Sequence, residues 1–256
     1  MSANYGLVRT SEKELTQRLL KFYRHVKKSW LSLITLISKH TKITNDIYKQ
    51  FQANENKSNH MEADILNEAI WSISRNQPVA NHLRFAISII YSISDLERMA
   101  DYVMNSINII MNGDLNAETL DIIKDTYKFS YECMNKLFSV LTTKDKIKIN
   151  AALGYKLANK VLNDYRIKQK GINKRISKVI FDKNSPKQIE EVLSSVSILI
   201  KYCERNVDHA VNIVENFIYV SKSDFFTNKH SNKTLDFDNL NLSKQQTLTK
   251  KTRKTK

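Results

Sequence analysis

The sequence has few of the residues that break helices and form turns. Only 4 Gly and 2 Pro occur among 256 residues, about 2% where roughly 12% is usual. Because these residues mark turns and the ends of strands, their scarcity predicts few connections and long helices. No segment of useful length alternates between apolar and polar residues, so nothing in the sequence indicates a β-sheet.

Cysteines and long apolar runs are also scarce. The only cysteines, Cys133 and Cys203, fall in apolar helical patterns and form no C-x-x-C motif, which excludes a disulfide scaffold and fits a reducing compartment. No apolar run approaches the roughly 18–20 residues of a membrane span, and the first residues lack the pattern of a signal peptide. We therefore expect a cytoplasmic protein.

Motifs of the common enzyme classes are missing as well. The sequence has no Gly-rich phosphate loop, no G-x-S-x-G, no H-E-x-x-H and no Cys/His dyad at a diagnostic spacing. We therefore predict that the protein is not an enzyme. The alternative, if the protein is an enzyme, is a helical metal-dependent hydrolase, since paired carboxylates can serve acid–base chemistry.

Positive charge is in excess, with a formal net charge of +15. Residues 229–256 contribute eight Lys and Arg residues against Asp236 and Asp238. Such a segment binds nucleic acid or anionic lipid, or is a solvated tail with no partner of its own. We predict a basic, disordered tail over residues 223–256. A basic helical nucleic-acid-binding protein is the alternative function, although we do not expect nucleic acid as the main partner.

Apolar residues recur at helical spacing in six segments. Ser11-x-x-Glu14 has the capping-box form at the first start, and Ser185-Pro186 marks the last start. The polar stretch 53–60 predicts a bend or break in the second helix, and Asn112-Gly113 marks the end of the third. The six predicted helices cover about 12–40, 44–76, 78–112, 116–142, 146–181 and 186–221.

Two short phrases repeat each other. Leu96–Asp101 and Cys203–Asp208 each place Glu, Arg and Asp at positions i, i+1 and i+4, and their glutamates lie 107 residues apart (204 minus 97). A repeat of this period indicates one module used twice. The predicted fold is all-α, a tandem repeat of two antiparallel three-helix bundles. The first bundle covers residues 1–113 and the second covers residues 114–222.

Each repeated phrase forms a carboxylate pair on one helix face, because residues i and i+4 are neighbours there. The first pair is Glu97 and Asp101, and the second is Glu204 and Asp208. Both lie on apolar stripes, and burying unpaired charge is costly. Two interpretations stay open: solvated pairs neutralised by arginine, and an ionic or metal cluster with oxygen ligands that suit Mg²⁺, Ca²⁺, Mn²⁺ or iron. His209 points about 100° away from Asp208, so we interpret it as a surface residue.

Four motifs of the sequence occur in a characteristic order. They are Arg75-Asn-Gln-Pro78, Leu83-Arg84, Leu96-Glu97-Arg98-x-x-Asp101 and Glu204-Arg205-x-x-Asp208. Together they resemble the PhoU family of phosphate-uptake regulators, over about residues 15–222. Asn105, Asn212 and Glu215 match residues that usually follow the family motif.

The resemblance implies an E/D-x-x-x-D motif in each bundle that can bind a metal cluster of iron, zinc or another divalent metal. The carboxylates that carry over by position are Glu97, Asp101, Glu204 and Asp208, with Glu55, Asp164 and Glu215 as weaker candidates.

Three departures from the family pattern reduce the expected metal binding. His82-Leu83-Arg84 lacks the acid that usually precedes Leu-Arg. The partner motifs on the middle helices are Glu55-x-x-x-Asn59 and Asp164-x-x-x-Lys168, each with one acid missing. Lys168 could replace a cation by pairing with Glu204 or Asp208. We therefore expect weaker metal binding, above all in the second repeat.

The resemblance also implies a role. PhoU-like proteins are cytoplasmic, non-enzymatic regulators that act on the ATPase subunit of an ABC-type phosphate transporter and restrain uptake when phosphate is plentiful. A phosphate-sensing kinase is a second partner where one exists. We expect a homodimer that associates with the membrane through these partners.

Overall fold

The described part of the chain consists of helices and one short hairpin. The computed structural model describes residues 5–40, 42–113, 115–143, 146–147, 149–183 and 186–222. The helices are α1 (Tyr5–Ser38), α2 (Asn45–Asn76), α3 (Asn81–Asn112), α4 (Ala117–Ser139), α5 (Ala151–Lys183) and α6 (Pro186–Lys222). Within these ranges no helix is long and apolar enough to cross a membrane. The tail that we predict over 223–256 lies outside the described residues.

The helices form two trios that share one core. Helices α1, α2 and α3 pack against one another, as do α4, α5 and α6. Contacts between α1 and α4 and between α3 and α6 join the trios, while α2 and α5, among the described residues, each pack only within their own trio. The predicted all-α tandem of three-helix bundles is confirmed. The division at residue 113 stays a prediction, because one apolar cluster runs through both trios.

Trp30 of α1 shows how the trios are held together. Its indole is fully buried and donates Nε1–H to the carbonyl of Met99 on α3 at 2.8 Å. The same ring lies 5.3 Å from the ring of Tyr127 on α4, measured between centroids. One side chain thus contacts elements of both halves, and the buried indole N–H has the partner that it needs.

Several predicted helix boundaries are wrong. Helix α1 begins at Tyr5 and runs through Ser11, whose hydroxyl accepts a hydrogen bond from Asn76 on α2 at 2.9 Å instead of starting a helix. Helix α2 is continuous across 53–60, and within this stretch Ser58 is buried and donates to the carbonyl of Asn54. Helix α3 begins at Asn81, later than Pro78, since Gln77 and Ala80 have positive φ. Ser185 lies outside the described residues.

The connection between α4 and α5 also differs from the prediction. Thr142–Thr143 and Lys146–Ile147 form two antiparallel two-residue strands, β1 and β2. The hairpin ends α4 earlier than expected and delays α5, whose first turn is capped by Asn150 accepting from the N–H of Leu153 at 3.1 Å. This hairpin was not predicted, because its strands are too short for a period of two to be visible.

Candidate functional site

The first carboxylate pair faces a neighbouring helix. Glu97 and Asp101 lie one turn apart on α3, close enough to interact electrostatically, and the Glu97 side chain is only 19% exposed. Helix α2 packs against this side of α3 and brings Glu62 and Glu55 within electrostatic range. The structure thus gathers four acidic side chains from two helices.

Glu55 was a candidate from the sequence, whereas Glu62 was missed. Asn59 stands where the family has an acid, and it donates Nδ2–H to Glu55 at 3.3 Å. Glu62 lies seven residues after Glu55, so the two side chains share one helix face. That spacing was the signal in the sequence that could have found it.

The carboxyl groups of this first cluster hold their protons more strongly than ordinary carboxyl groups do. Burial, together with a smaller contribution from the neighbouring Asp101, raises the pKa of Glu97 to about 7. Burial also raises the pKa of Asp101 and of Glu62. Arg98 is the cation that opposes these shifts, but its side chain is 63% exposed and lies 4.0 Å from Glu97. The first cluster therefore has an excess of negative charge.

The second carboxylate pair is neutralised more completely. Glu204 on α6 accepts from Lys201 at 3.0 Å and from Gln169 of α5 at 3.3 Å. Asp208 lies 3.8 Å from Arg205, although burial still raises the pKa of Asp208, with a smaller contribution from Glu204. The two pairs occupy equivalent positions in the repeat but differ in charge balance.

Two candidates from the sequence remain, Asp164 and Glu215. Asp164 is exposed on α5, and Glu215 is 8% exposed on α6, about 10 Å along the helix axis from Asp208. The predicted pairing of Lys168 with Glu204 or Asp208 is wrong. The Lys168 ammonium lies over the ring of Phe129 at 5.7 Å, and the next residue, Gln169, contacts Glu204 instead.

The donor chemistry of the first cluster suits a cation better than that of the second. Across the described ranges, no three Asp, Glu, His or Cys side chains are close enough together to hold one metal ion. Glu97, Asp101 and Glu62 nevertheless present oxygen donors with raised pKa values, and hard divalent cations take oxygen ligands. Lys201 and Arg205 already supply positive charge at the second pair.

A polar seam between α3 and α6 was not predicted. Asp95 on α3 is 14% exposed and accepts from His209 Nδ1 at 2.7 Å and from Asn212 at 3.2 Å, both on α6. Asn216 contacts the second carboxylate oxygen at 3.5 Å. The interpretation of His209 as a surface residue is wrong, because its side chain is only 18% exposed. His209, Asn212 and Asn216 at i, i+3 and i+7 were the available signal, since they share one face of an otherwise apolar helix.

The seam also connects the two carboxylate pairs. A carboxylate only accepts hydrogen bonds, so His209 donates Nδ1–H to Asp95, and its Nε2 faces the hydroxyl of Tyr102 at 3.0 Å. Tyr102 directly follows Asp101, and His209 directly follows Asp208. The Tyr102 ring also stacks on Tyr202 of α6, with centroids 5.1 Å apart. The contact between Tyr102 and His209 therefore joins α3 and α6 next to both carboxylate pairs.

Comparison with known proteins confirms the resemblance found in the sequence. Residues 19–110 match the family described as PhoU domain, and this range includes Glu97 and Asp101. The relatives include the uncharacterized protein MG409 of Mycoplasma genitalium, 26% identical over 227 residues that cover 87% of this chain and 98% of that protein. Its homolog in Mycoplasma pneumoniae is 26% identical over 233 residues, which cover 88% and 99% of the two chains.

Two solved structures share the fold. The phosphate transport system regulatory protein PhoU from Streptococcus pneumoniae superimposes with a TM-score of 0.67 at 20% identity, covering 86% of this chain and 99% of that chain. PhoU from Pseudomonas aeruginosa gives a TM-score of 0.60 at 19% identity, covering 84% and 99%. At these identities the likeness establishes the architecture, which is the PhoU-like tandem of helical bundles.

Proposed function

We propose that this chain, which carries a PhoU domain at residues 19–110, is a non-enzymatic regulator of phosphate uptake in the cytoplasm. It acts on the ATPase subunit of an ABC-type phosphate transporter and restrains uptake when phosphate is plentiful. The observation that carries the proposal is the domain match, because it spans the Glu97–Asp101 motif. The likeness to a structure named as a phosphate transport system regulatory protein supports the same role. A sensor kinase partner and a homodimer are further parts of the proposal.

Regulation in this proposal is conformational. The carboxylates of Glu97 and Asp101 face those of α2, so their charge state changes the repulsion between α2 and α3. The α3–α6 seam extends from these residues to Asp208 through Tyr102 and His209. A change in the ionic state of one pair would thereby alter the surface that both trios present to a partner.

We also propose that the first cluster holds a divalent cation. Glu97 and Asp101 supply the ligands, with Glu62 or Glu55 of α2 as the third, after a small rearrangement of side chains. Oxygen donors alone favour iron(II), Mn²⁺ or Mg²⁺ over zinc, which prefers nitrogen and sulfur ligands. The bound cation would supply the positive charge that Arg98 provides only in part. Glu204 and Asp208 form the weaker site.

The regulatory role predicts the effect of charge reversal at the two motifs. We expect Glu97→Lys with Glu204→Lys to lower the recovery of the transporter ATPase subunit in a pull-down by at least about tenfold. The first reversal removes the excess negative charge of the first cluster, and the second places a cation beside Lys201. Phosphate uptake by cells that carry the variant should then no longer fall when phosphate is plentiful.

The matched control reverses two exposed acids, Glu132→Lys and Glu190→Lys, with the same change in net charge. This control should bind the ATPase subunit like the unmodified chain. If the motif variant keeps both its partner and normal uptake while remaining folded by circular dichroism, the regulatory proposal is wrong.

Cation binding predicts an unequal response of the two pairs. We expect Mn²⁺ or Fe²⁺ to raise the melting temperature of the purified chain, and Glu97→Gln to remove most of this rise, because the variant loses a charged ligand. Glu204→Gln should remove little of it, since Lys201 and Gln169 already occupy that carboxylate. Thermal unfolding with and without each cation measures this. Equal losses in the two variants, or no rise in the unmodified chain, would refute a site at the first cluster.

The same purified, metal-loaded protein also tests the hydrolase alternative. Turnover of phosphate esters that disappears in Asp101→Asn would replace the regulatory role with catalysis.

A further inference from the structure

The two outer helices of the fold differ in charge. Helices α2 and α5 hold equivalent places in the two trios. The sequence of α2 has three Lys and Arg residues against five acids, whereas that of α5 has nine against two. A general bias of the sequence towards lysine would affect both helices equally. The excess on α5 is therefore specific to that helix.

Five lysines of α5 form one row along the helix. At 100° per residue, nine residues of α5 fall in a solvent-facing sector about 100° wide. Within residues 153–178 this sector contains no carboxylate, and no ion pair in the described part of the chain reaches its lysines. We call this sector the lysine face, and it spans about 33 Å from first to last lysine. Its side chains are exposed, and the lysines are Lys156, Lys160, Lys170, Lys174 and Lys178.

Two aliphatic side chains lie on the same face. Ile167 is 72% exposed, the highest value among the exposed large hydrophobic residues of the structure, and Leu153 is 55% exposed. While the Ile167 side chain remains exposed to water, the protein does not gain the free energy that burial of this side chain would provide. A surface that receives both the ammonium groups and the aliphatic side chains would remove this exposure.

We propose that the lysine face binds an anionic lipid surface. Basic amphipathic helices lie in the headgroup region, where lysines meet lipid phosphates and aliphatic side chains enter the acyl boundary. Nucleic acid is the less favoured partner, because single-stranded bases need aromatic platforms and both described tyrosines of α5, Tyr155 and Tyr165, point away from this face. This proposal is independent of the regulatory role and uses none of the carboxylate motifs.

Sedimentation of the full chain with lipid vesicles tests the proposal. We expect binding to phosphatidylcholine vesicles that contain phosphatidylglycerol, and none to phosphatidylcholine alone. Each lysine near such a surface contributes roughly a fivefold increase in binding. The variant Lys160→Gln, Lys170→Gln, Lys174→Gln should therefore bind about a hundredfold more weakly. Ile167→Gln should weaken binding about tenfold without a change in charge.

A second triple variant controls for net charge and for the basic tail. Lys13→Gln, Lys21→Gln and Lys28→Gln remove three exposed lysines from α1, which leaves the lysine face and the tail unchanged. This control should bind vesicles within about threefold of the unmodified chain, since distant charges are screened. All of these residues are exposed, so we expect each variant to fold normally.

Three results would overturn the proposal. The first is equal loss in both triple variants, which would mean that only overall charge matters. The second is unchanged vesicle binding in the α5 variant together with loss of salt-dependent binding to RNA or DNA, which would assign the face to nucleic acid. The third is a change from dimer to monomer in the α5 variant by analytical ultracentrifugation, without any vesicle binding, which would assign the face to a second copy of the chain.

Discussion

Replacing Asp95 by alanine should lower the free energy of unfolding by about 3–4 kcal/mol. The carboxylate accepts hydrogen bonds from His209, Asn212 and Asn216 of α6. Its removal takes one hydrogen-bond acceptor away from these three donors. The contact is largely shielded from water, since the Asp95 and His209 side chains are both less than one-fifth exposed. Water reaches such groups poorly, so most of their lost hydrogen bonding remains uncompensated. Urea unfolding followed by circular dichroism measures the change.

Asp125→Ala provides the matched control. Asp125 is also a helical aspartate, but its side chain is 46% exposed and its partner Arg175 lies 3.8 Å away on the surface. Exposed pairs of this kind contribute about 0–1 kcal/mol. Equal losses in the two variants would show that the seam adds no special stability. A smaller effect of His209→Ala in the Asp95→Ala background than in the unmodified chain would confirm that the two side chains act as one unit.

The sequence identified the fold because the repeat and the helical periodicity both depend on local spacing. The phrases around Glu97 and Glu204 repeat one helix position, and the structure places both on the third helix of a trio. The same reasoning failed at Ser11, where a capping-box pattern lies inside α1. The Ser11 hydroxyl has its partner in another helix. It accepts a hydrogen bond from Asn76 of α2, which lies 65 residues later in the sequence. Local spacing does not reveal such a partner.

The candidate site was predicted only in part for the same reason. Helix α3 places Glu97 and Asp101 together, as any helix would, but the charge that surrounds them depends on α2. Glu62 approaches only after the helices pack, and Gln169 takes the contact that we had assigned to Lys168. The two pairs therefore differ because of contacts with other helices, although their sequence motifs are almost identical.

Glu97→Gln should stabilise the protein in alkaline solution and have little effect in acid. The pKa of Glu97 is about 7 in the folded chain, against an ordinary value of 4.5, so between these pH values the folded protein binds more protons than the unfolded one. The free energy of unfolding therefore falls as the pH rises through this window and stays low above it. At about 1.4 kcal/mol per pKa unit, we expect the variant to be more stable by about 2–3 kcal/mol at pH 8.

Urea unfolding at pH 5 and pH 8 without divalent cations measures this difference. Glu132→Gln, an exposed acid on α4, removes the same charge and should give equal stabilities to the unmodified chain at both pH values. A stabilisation by Glu97→Gln of the same size at pH 5 would mean that better packing of the amide, and not relief of repulsion, is the cause. A loss of stability at pH 8 would mean that Arg98 neutralises the cluster, because only a paired carboxylate stabilises the fold in its charged form. The stabilisation that we expect instead identifies Glu97 as a group held in an unfavourable charge state, and a bound cation would relieve the same repulsion.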